Sequence, residues 1–135
     1  VKAMEQEPSV RQIRHMATLA QMSIVGIGGV DSNATLLTNG TLNHSDVLLL
    51  SMQGAVGDML CHFIDKDGNV IQSSLERRLM STSLEQLKEM NNSIGVAGGN
   101  TKAEATLAAL KGKYLDVLIT DETTASNVLR LKNQE

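Results

Sequence analysis

The chain has 135 residues, 41% hydrophobic and 20% charged, with a formal net charge of −3, which bounds it to one domain able to bury a core. Phe63 and Tyr114 are its only aromatic residues, so base stacking is out of reach, and the acidic balance leaves no electrostatic footprint for nucleic acid. A single cysteine excludes an internal disulfide framework and fits a reducing compartment.

No apolar run approaches bilayer length and the start has no signal-peptide pattern, so the expected location is cytoplasmic, with no membrane partner. Glu7-Pro8-Ser9 opens a predicted helix with Val10, Ile13, Ala17 and Ala20 at helical spacing. Ser23 to Ile27 reads as a short buried strand running into Gly28-Gly29. Asp31-Ser32-Asn33 is expected to cap a short helix stopping at Asn39-Gly40. Asn43 to Asp46 caps a second helix over Val47 to Met52, ended by Gly54.

The next part changes character. Met59 to Ile64 is predicted as one strand, with Cys61 on it as a small buried hydrophobe. Asp65-Lys66-Asp67-Gly68 reads as a tight turn, Val70-Ile71 as the return strand and Leu75 to Met80 as a further extended piece. Ser83 to Gln86 opens a helix reaching Met90. A strand over Ile94–Ala97, a helix from Thr101 to Leu110, a strand over Asp116–Thr120 and a helix from Asp121 to Leu131 complete the chain. Strand–helix alternation at both ends predicts an α/β fold with a parallel sheet, interrupted by a hairpin insertion. The seven methionines fall on apolar faces and are read as core.

Parallel α/β sheets place ligands at the carboxyl ends of their strands, where Gly28-Gly29 and Gly98-Gly99 both lie. The helix after Gly98-Gly99 begins Asn-Thr-Lys, with no acid before Glu104, so Lys102 sits unfavourably at a positive helix end unless an anion joins it. The junction at Asp121-Glu122 is by contrast capped by its own acid. The glycine turn with Lys102 is therefore a candidate phosphate or carboxylate site, against the alternative of a merely solvated lysine. Asp58, in the glycine-framed stretch Gly54-Ala55-Val56-Gly57-Asp58, is placed to accept hydrogen bonds from hydroxyls or to serve as a turn aspartate. Ser32 and Thr35 could offer hydroxyls to a ligand. Gly26, Gly28 and Gly29 form half of a dinucleotide fingerprint, but Asp31 takes the third glycine position and rules that cofactor out. His15, His44 and His62 lack metal-ligand spacing, and neither a nucleophile elbow nor a Walker sequence occurs; no cofactor or metal is expected.

Read in order, Gly26-Ile27-Gly28, Gly54-Ala55-Val56-Gly57-Asp58, Phe63-Ile64-Asp65 with Gly68, Ala97-Gly98-Gly99 with Lys102, and Leu118-Ile119-Thr120-Asp121-Glu122 with Ala125 resemble the SorC-type bacterial transcriptional regulators. The resemblance is to the carboxyl-terminal part of that family's sugar-binding effector domain and covers nearly the whole chain. It implies Rossmann-like layers of the glucosamine-6-phosphate deaminase and ribose-5-phosphate isomerase type, used for sensing and not for catalysis. It further implies a phosphorylated sugar as effector, a homo-oligomer (dimer or tetramer), and operator DNA bound through an amino-terminal helix-turn-helix. By this resemblance Lys102, Gly98 and Gly99 contact the effector phosphate, Asp58 binds sugar hydroxyls, and the loop from Gly28 to Thr35, with Gly29 and Ser32, closes the pocket. Residues 1–135 are then expected to be a portion of the effector domain, without its first strand and the DNA-binding part, and with apolar surface left for dimerisation. Two other readings stand beside this one: a sugar-phosphate isomerase or deaminase using Asp58 as base, and an oligomerisation module with a vestigial pocket.

Overall fold

The computed structural model describes residues 1–134. Helix α1 (Lys2–Glu5) leads into α2 (Pro8–Thr18), which starts on its proline and buries no residue. Ile13, Met16 and Leu19 stand 61–67% exposed on and just after it. The β-branched and apolar residues that follow form β1 (Ser23–Gly26). The later strands β5 (Ser93–Val96) and β6 (Val117–Ile119) join it in a parallel sheet of order β1-β5-β6. Register is set at Ile24↔Ile94↔Val117 and Gly26↔Val96↔Ile119. This is the parallel α/β layer that the strand–helix alternation predicts.

One face of this sheet is packed and the other is bare. Val25, Ile27 and Ala97 are buried in the main core with Leu84, Leu87, Ala105, Ala108, Ala109 and Tyr114. On the opposite face Ile24 is 69% exposed, Ile119 55%, Val117 47% and Val96 40%. Parallel sheets are ordinarily covered on both faces.

Beyond Ile27 the backbone enters a second sheet, which sequence periodicity did not predict. Strand β2 (Gly28–Gly29) pairs antiparallel with β3 (Ala55–Met59), and β3 with β4 (His62–Asp65). The expected single strand over Met59–Ile64 is thus split by a two-residue turn. Leu60 and Cys61 both have positive φ there, 54° and 66°, a conformation usually given to Asn and Gly. Cys61 is accordingly exposed at a turn, not buried on a strand. Val70 contributes an isolated bridge to Ile64 in place of a full return strand. Leu75–Met80 forms a short 3-10 turn at Glu76–Arg78.

Helix α3 (Thr35–Thr38) is a single turn that stops at Asn39, as expected, but has no side-chain cap; Asp31 instead turns the chain by accepting the Asn33 N–H at 2.7 Å. Helices α4 (His44–Met52) and α5 (Leu84–Glu89) each open on a full capping box, Asn43 with Asp46 and Ser83 with Gln86. Helix α6 (Ala103–Lys111) lies flush on β3, where a Cβ on Gly57 would stand 2.3 Å from the Ala105 Cβ. Helix α7 (Glu122–Lys132) packs on α6 through Ala103, Leu107, Val128 and Leu131. The methionines divide: Met59 is fully buried, whereas Met4, Met16, Met22 and Met52 are 55–76% exposed. The exposed ones lie on helices or ends whose apolar faces meet no partner, so helical spacing alone misread them as core.

Candidate functional site

Asp58 sits inside β3, opposite Gly28 in the ladder. A Cβ on Gly28 would come within 2.0 Å of the Asp58 Oδ1, so the carboxylate lies directly over the glycine. Its partner across the hairpin, Phe63, packs into the cluster of Leu42, Leu50, Val30, Leu36 and Val47. Burial raises the Asp58 carboxyl above its usual range; the Cys61 N–H, at 3.3 Å from Oδ2, and the positive charges of Lys102 and His62 pull the other way. The structure therefore presents a half-buried carboxylate that is poorly solvated and meets one backbone donor.

Gly29 brings the second group close. A Cβ there would stand 3.3 Å from the Thr101 carbonyl and 3.2 Å from Asp31 Oδ2. Thr101 belongs to a 3-10 turn, Asn100–Lys102, that precedes α6 and places Lys102 at the α6 N-cap. The helix predicted to begin at Thr101 thus begins at Ala103. Lys102 is half-buried and near enough to Asp58 to act on its charge. Gly28, Gly29, Asp58 and Lys102 form one neighbourhood at the carboxyl end of β1.

The glycine turn at Gly98–Gly99 is not open in the way expected. The Gly99 N–H donates to Asp121 Oδ2 at 3.2 Å and to the Thr124 Oγ1 at 3.0 Å. The acid that caps α7 thus reaches across to the other junction. Hydrogen bonds from Thr124 and Gly99 hold the Asp121 carboxyl below the usual range, the Thr124 backbone bond most strongly. Among the described residues, the N–H groups of Gly98, Asn100 and Thr101 in this turn have no partner within the fold. Ser32 and Thr35 are exposed in the segment beyond Gly29, and their hydroxyls bond to neither Asp58 nor Lys102.

His62, whose partners spacing did not reveal, is 5% exposed and has both ring nitrogens engaged. Nδ1 faces Glu76 Oε1 at 2.8 Å, and Nε2 donates to the Thr82 carbonyl at 2.9 Å. This pair straps the β4 hairpin to the 76–82 segment and leaves no ring nitrogen for Asp58. Among the described residues no cluster of His, Cys, Asp or Glu could hold a metal ion. No helix among them is long and apolar enough to cross a membrane. A separate cleft of about 600 Å³ lies between α2 and α5, lined by Ile13, Ala17, Met80, Gln86 and Met90, away from Asp58.

A family model described as "Putative sugar-binding domain" matches residues 1–130. The chain is 40% identical over 131 residues to the transcriptional regulator LsrR of Klebsiella pneumoniae, covering 95% of this chain and 41% of that protein. It is 36% identical over 124 residues to the erythritol catabolism regulatory protein EryD of Brucella abortus, covering 92% and 39%. The full-length sorbitol operon regulator SorC from Klebsiella pneumoniae shares the fold, with a TM-score of 0.85 at 24% identity over 95% of this chain and 42% of that one. The chain therefore spans about two-fifths of the length of these regulators.

Proposed function

The chain belongs to this family of sugar-binding domains, as the resemblance to SorC-type regulators implied, and we propose that it senses a phosphorylated sugar for a bacterial transcriptional regulator. The observation that carries the reading is the nearness of Asp58 to Lys102: a half-buried hydroxyl acceptor beside a cation at a turn with unspent N–H groups. A sugar phosphate supplies both halves of that complement. Its hydroxyls would donate to Asp58 in place of water, and its phosphate would neutralise Lys102 together with the Asn100 and Thr101 N–H groups. Gly28 and Gly29 allow backbone and carboxylate to come that close. Gly98 sets the approach of the turn, and the loop carrying Ser32 and Thr35 would close over the bound sugar.

The protein is read as a sensor and not as an enzyme. General base chemistry at a sugar carbon needs a second group to relay or return the proton. The nearby imidazole, His62, is fully occupied by Glu76 and Thr82. The relatives named above are regulators. Control of transcription would follow by population shift, with a sugar phosphate favouring one arrangement of the regulator over another. A hundredfold differential affinity corresponds to about 2.7 kcal/mol. Operator DNA would be held by another part of the regulator, since this chain carries a formal net charge of −3. The bare face of the parallel sheet supports a homo-oligomer or a further protein layer at that position.

A thermal-shift screen of phosphorylated against free sugars tests the reading. Saturable stabilisation by a sugar phosphate, lost in Lys102→Ala, is the expected result. Stabilisation confined to unphosphorylated sugars would remove the role given to Lys102.

A further inference from the structure

The start of α7 is bonded more heavily than a helix cap requires. Asp121 Oδ1 accepts the Thr124 N–H at 2.8 Å, which alone completes the cap. Its other oxygen accepts the Thr124 hydroxyl at 2.8 Å and the Gly99 N–H at 3.2 Å. The Thr124 hydroxyl oxygen takes the same N–H at 3.0 Å, and Thr124 is fully buried. These extra bonds all converge on Gly99. From Gly99 the order passes to the lysine: the Gly99 carbonyl accepts the Lys102 N–H at 3.1 Å, and the Lys102 carbonyl accepts the Thr106 hydroxyl at 2.7 Å. One turn further along α7, Asn127 Nδ2 donates to Asn100 Oδ1 at 3.5 Å. Both ends of the Gly99–Lys102 segment are thus held, one by α7 and the other by α6.

We propose that Asp121 and Thr124 are positioning residues for the Gly99–Lys102 segment, so that α7 registers whether that segment holds an anion. The inference rests on the reading of Lys102 and its turn as the anion contact. It differs from that reading in assigning work to residues that touch no ligand. Asp121 supplies Gly99 with the negative partner that a ligand would otherwise give it, which directs an incoming phosphate to Asn100, Thr101 and Lys102. Any shift of those three on binding is transmitted to α7 through bonds that leave Gly99 little freedom.

Amide exchange resolved by residue, with inorganic phosphate as the probe, tests the proposal. Thr124→Val removes the hydroxyl at nearly constant volume. It is expected to speed exchange of the Gly99 amide about fivefold, the equivalent of one ordinary hydrogen bond. Thr124→Ser, which restores the hydroxyl, should return it to the wild-type rate. Asp121→Asn, which keeps an acceptor for the cap, provides a second route should Thr124→Val fail to fold. In the wild type, phosphate is expected to slow exchange in the first turn of α7, and in Thr124→Val that response should be reduced. Unchanged Gly99 exchange in both Thr124→Val and Asp121→Asn would overturn the positioning role. An α7 response as large in Thr124→Val as in the wild type would overturn the coupling. Phosphate that leaves the Lys102 and α7 signals of the wild type unmoved would sink the anion reading and the coupling with it, while the Gly99 comparison still decides the positioning role.

Discussion

Two neighbouring glycines should respond to the same substitution in opposite ways. At Gly57 the methyl of an alanine would lie 2.3 Å from the Ala105 Cβ, 2.6 Å from the Gly28 carbonyl oxygen and 3.0 Å from the Ala105 Cα. All three atoms belong to rigid elements, so β3 and α6 must separate. Overpacking of this kind costs about 1–3 kcal/mol, or a fall of roughly 3–12 °C in Tm for a chain of this length. At Gly28 the methyl would instead meet Asp58 Oδ1 at 2.0 Å and Cγ at 3.1 Å. Those atoms end a rotatable side chain, so the carboxylate swings away and the backbone stays. Gly28→Ala is therefore expected to melt within about 2 °C of the wild type, because Asp58 regains solvent as it moves. On the proposed reading it should nonetheless lose the stabilisation expected from a sugar phosphate. Melting of both variants with and without the stabilising ligand distinguishes the two effects. The argument fails if Gly57→Ala melts like the wild type, or if Gly28→Ala keeps the full ligand response.

Further expectations follow from the same contacts. Asp58→Asn removes a desolvated charge and should raise the stability of the unliganded chain at pH 7 by about 1 kcal/mol while abolishing the ligand response. Because burial raises the Asp58 pKa, its stabilising protonated form is present at low pH and lost as pH rises through the folded value. Denaturant melts should accordingly show the gap between Asp58→Asn and the wild type closing as pH falls toward about 3.9. His62→Ala leaves Glu76 without its partner and should cost roughly 2–3 kcal/mol by chemical denaturation, less than the ~3–5 of a fully buried pair, since Glu76 is 19% exposed. Cys61→Gly, at the exposed left-handed position of the β3–β4 turn, should stabilise the hairpin by about 1 kcal/mol; an unchanged melt would show that Cys61 carries no strain.

Features fixed by near neighbours were the ones legible in the sequence. The boxes at Asn43–Asp46 and Ser83–Gln86 and the cap at Asp121 each span four residues, and each forms as expected. The parallel arrangement of β1, β5 and β6 also followed, because alternation with helices constrains it. What escaped was nonlocal or chemically silent. Leu60 and Cys61 bear no mark of a turn residue, so their hairpin merged into one apparent strand. Gly28 meets Asp58 only through a ladder closed over twenty-nine intervening positions. Asp121 finds Gly99 across 22 residues, and nothing in a cap motif announces that its second oxygen has a distant use. The Asp58–Lys102 neighbourhood was therefore visible as two separate candidates, while the bonds that relate the turn to α7 were not.

Ile27 is the single residue between β1 and β2, is 1% exposed, and donates its N–H to the Val96 carbonyl at 3.1 Å. The two sheets are consequently spliced by a connection without slack. A loop there would absorb a displacement at Gly28 as harmless flexing. One clamped residue instead delivers it as torsion to the β1–β5 ladder, and so to the exposed Ile24 and Val96 on the far side. A displacement at Gly28 would thereby reach the bare face of the parallel sheet.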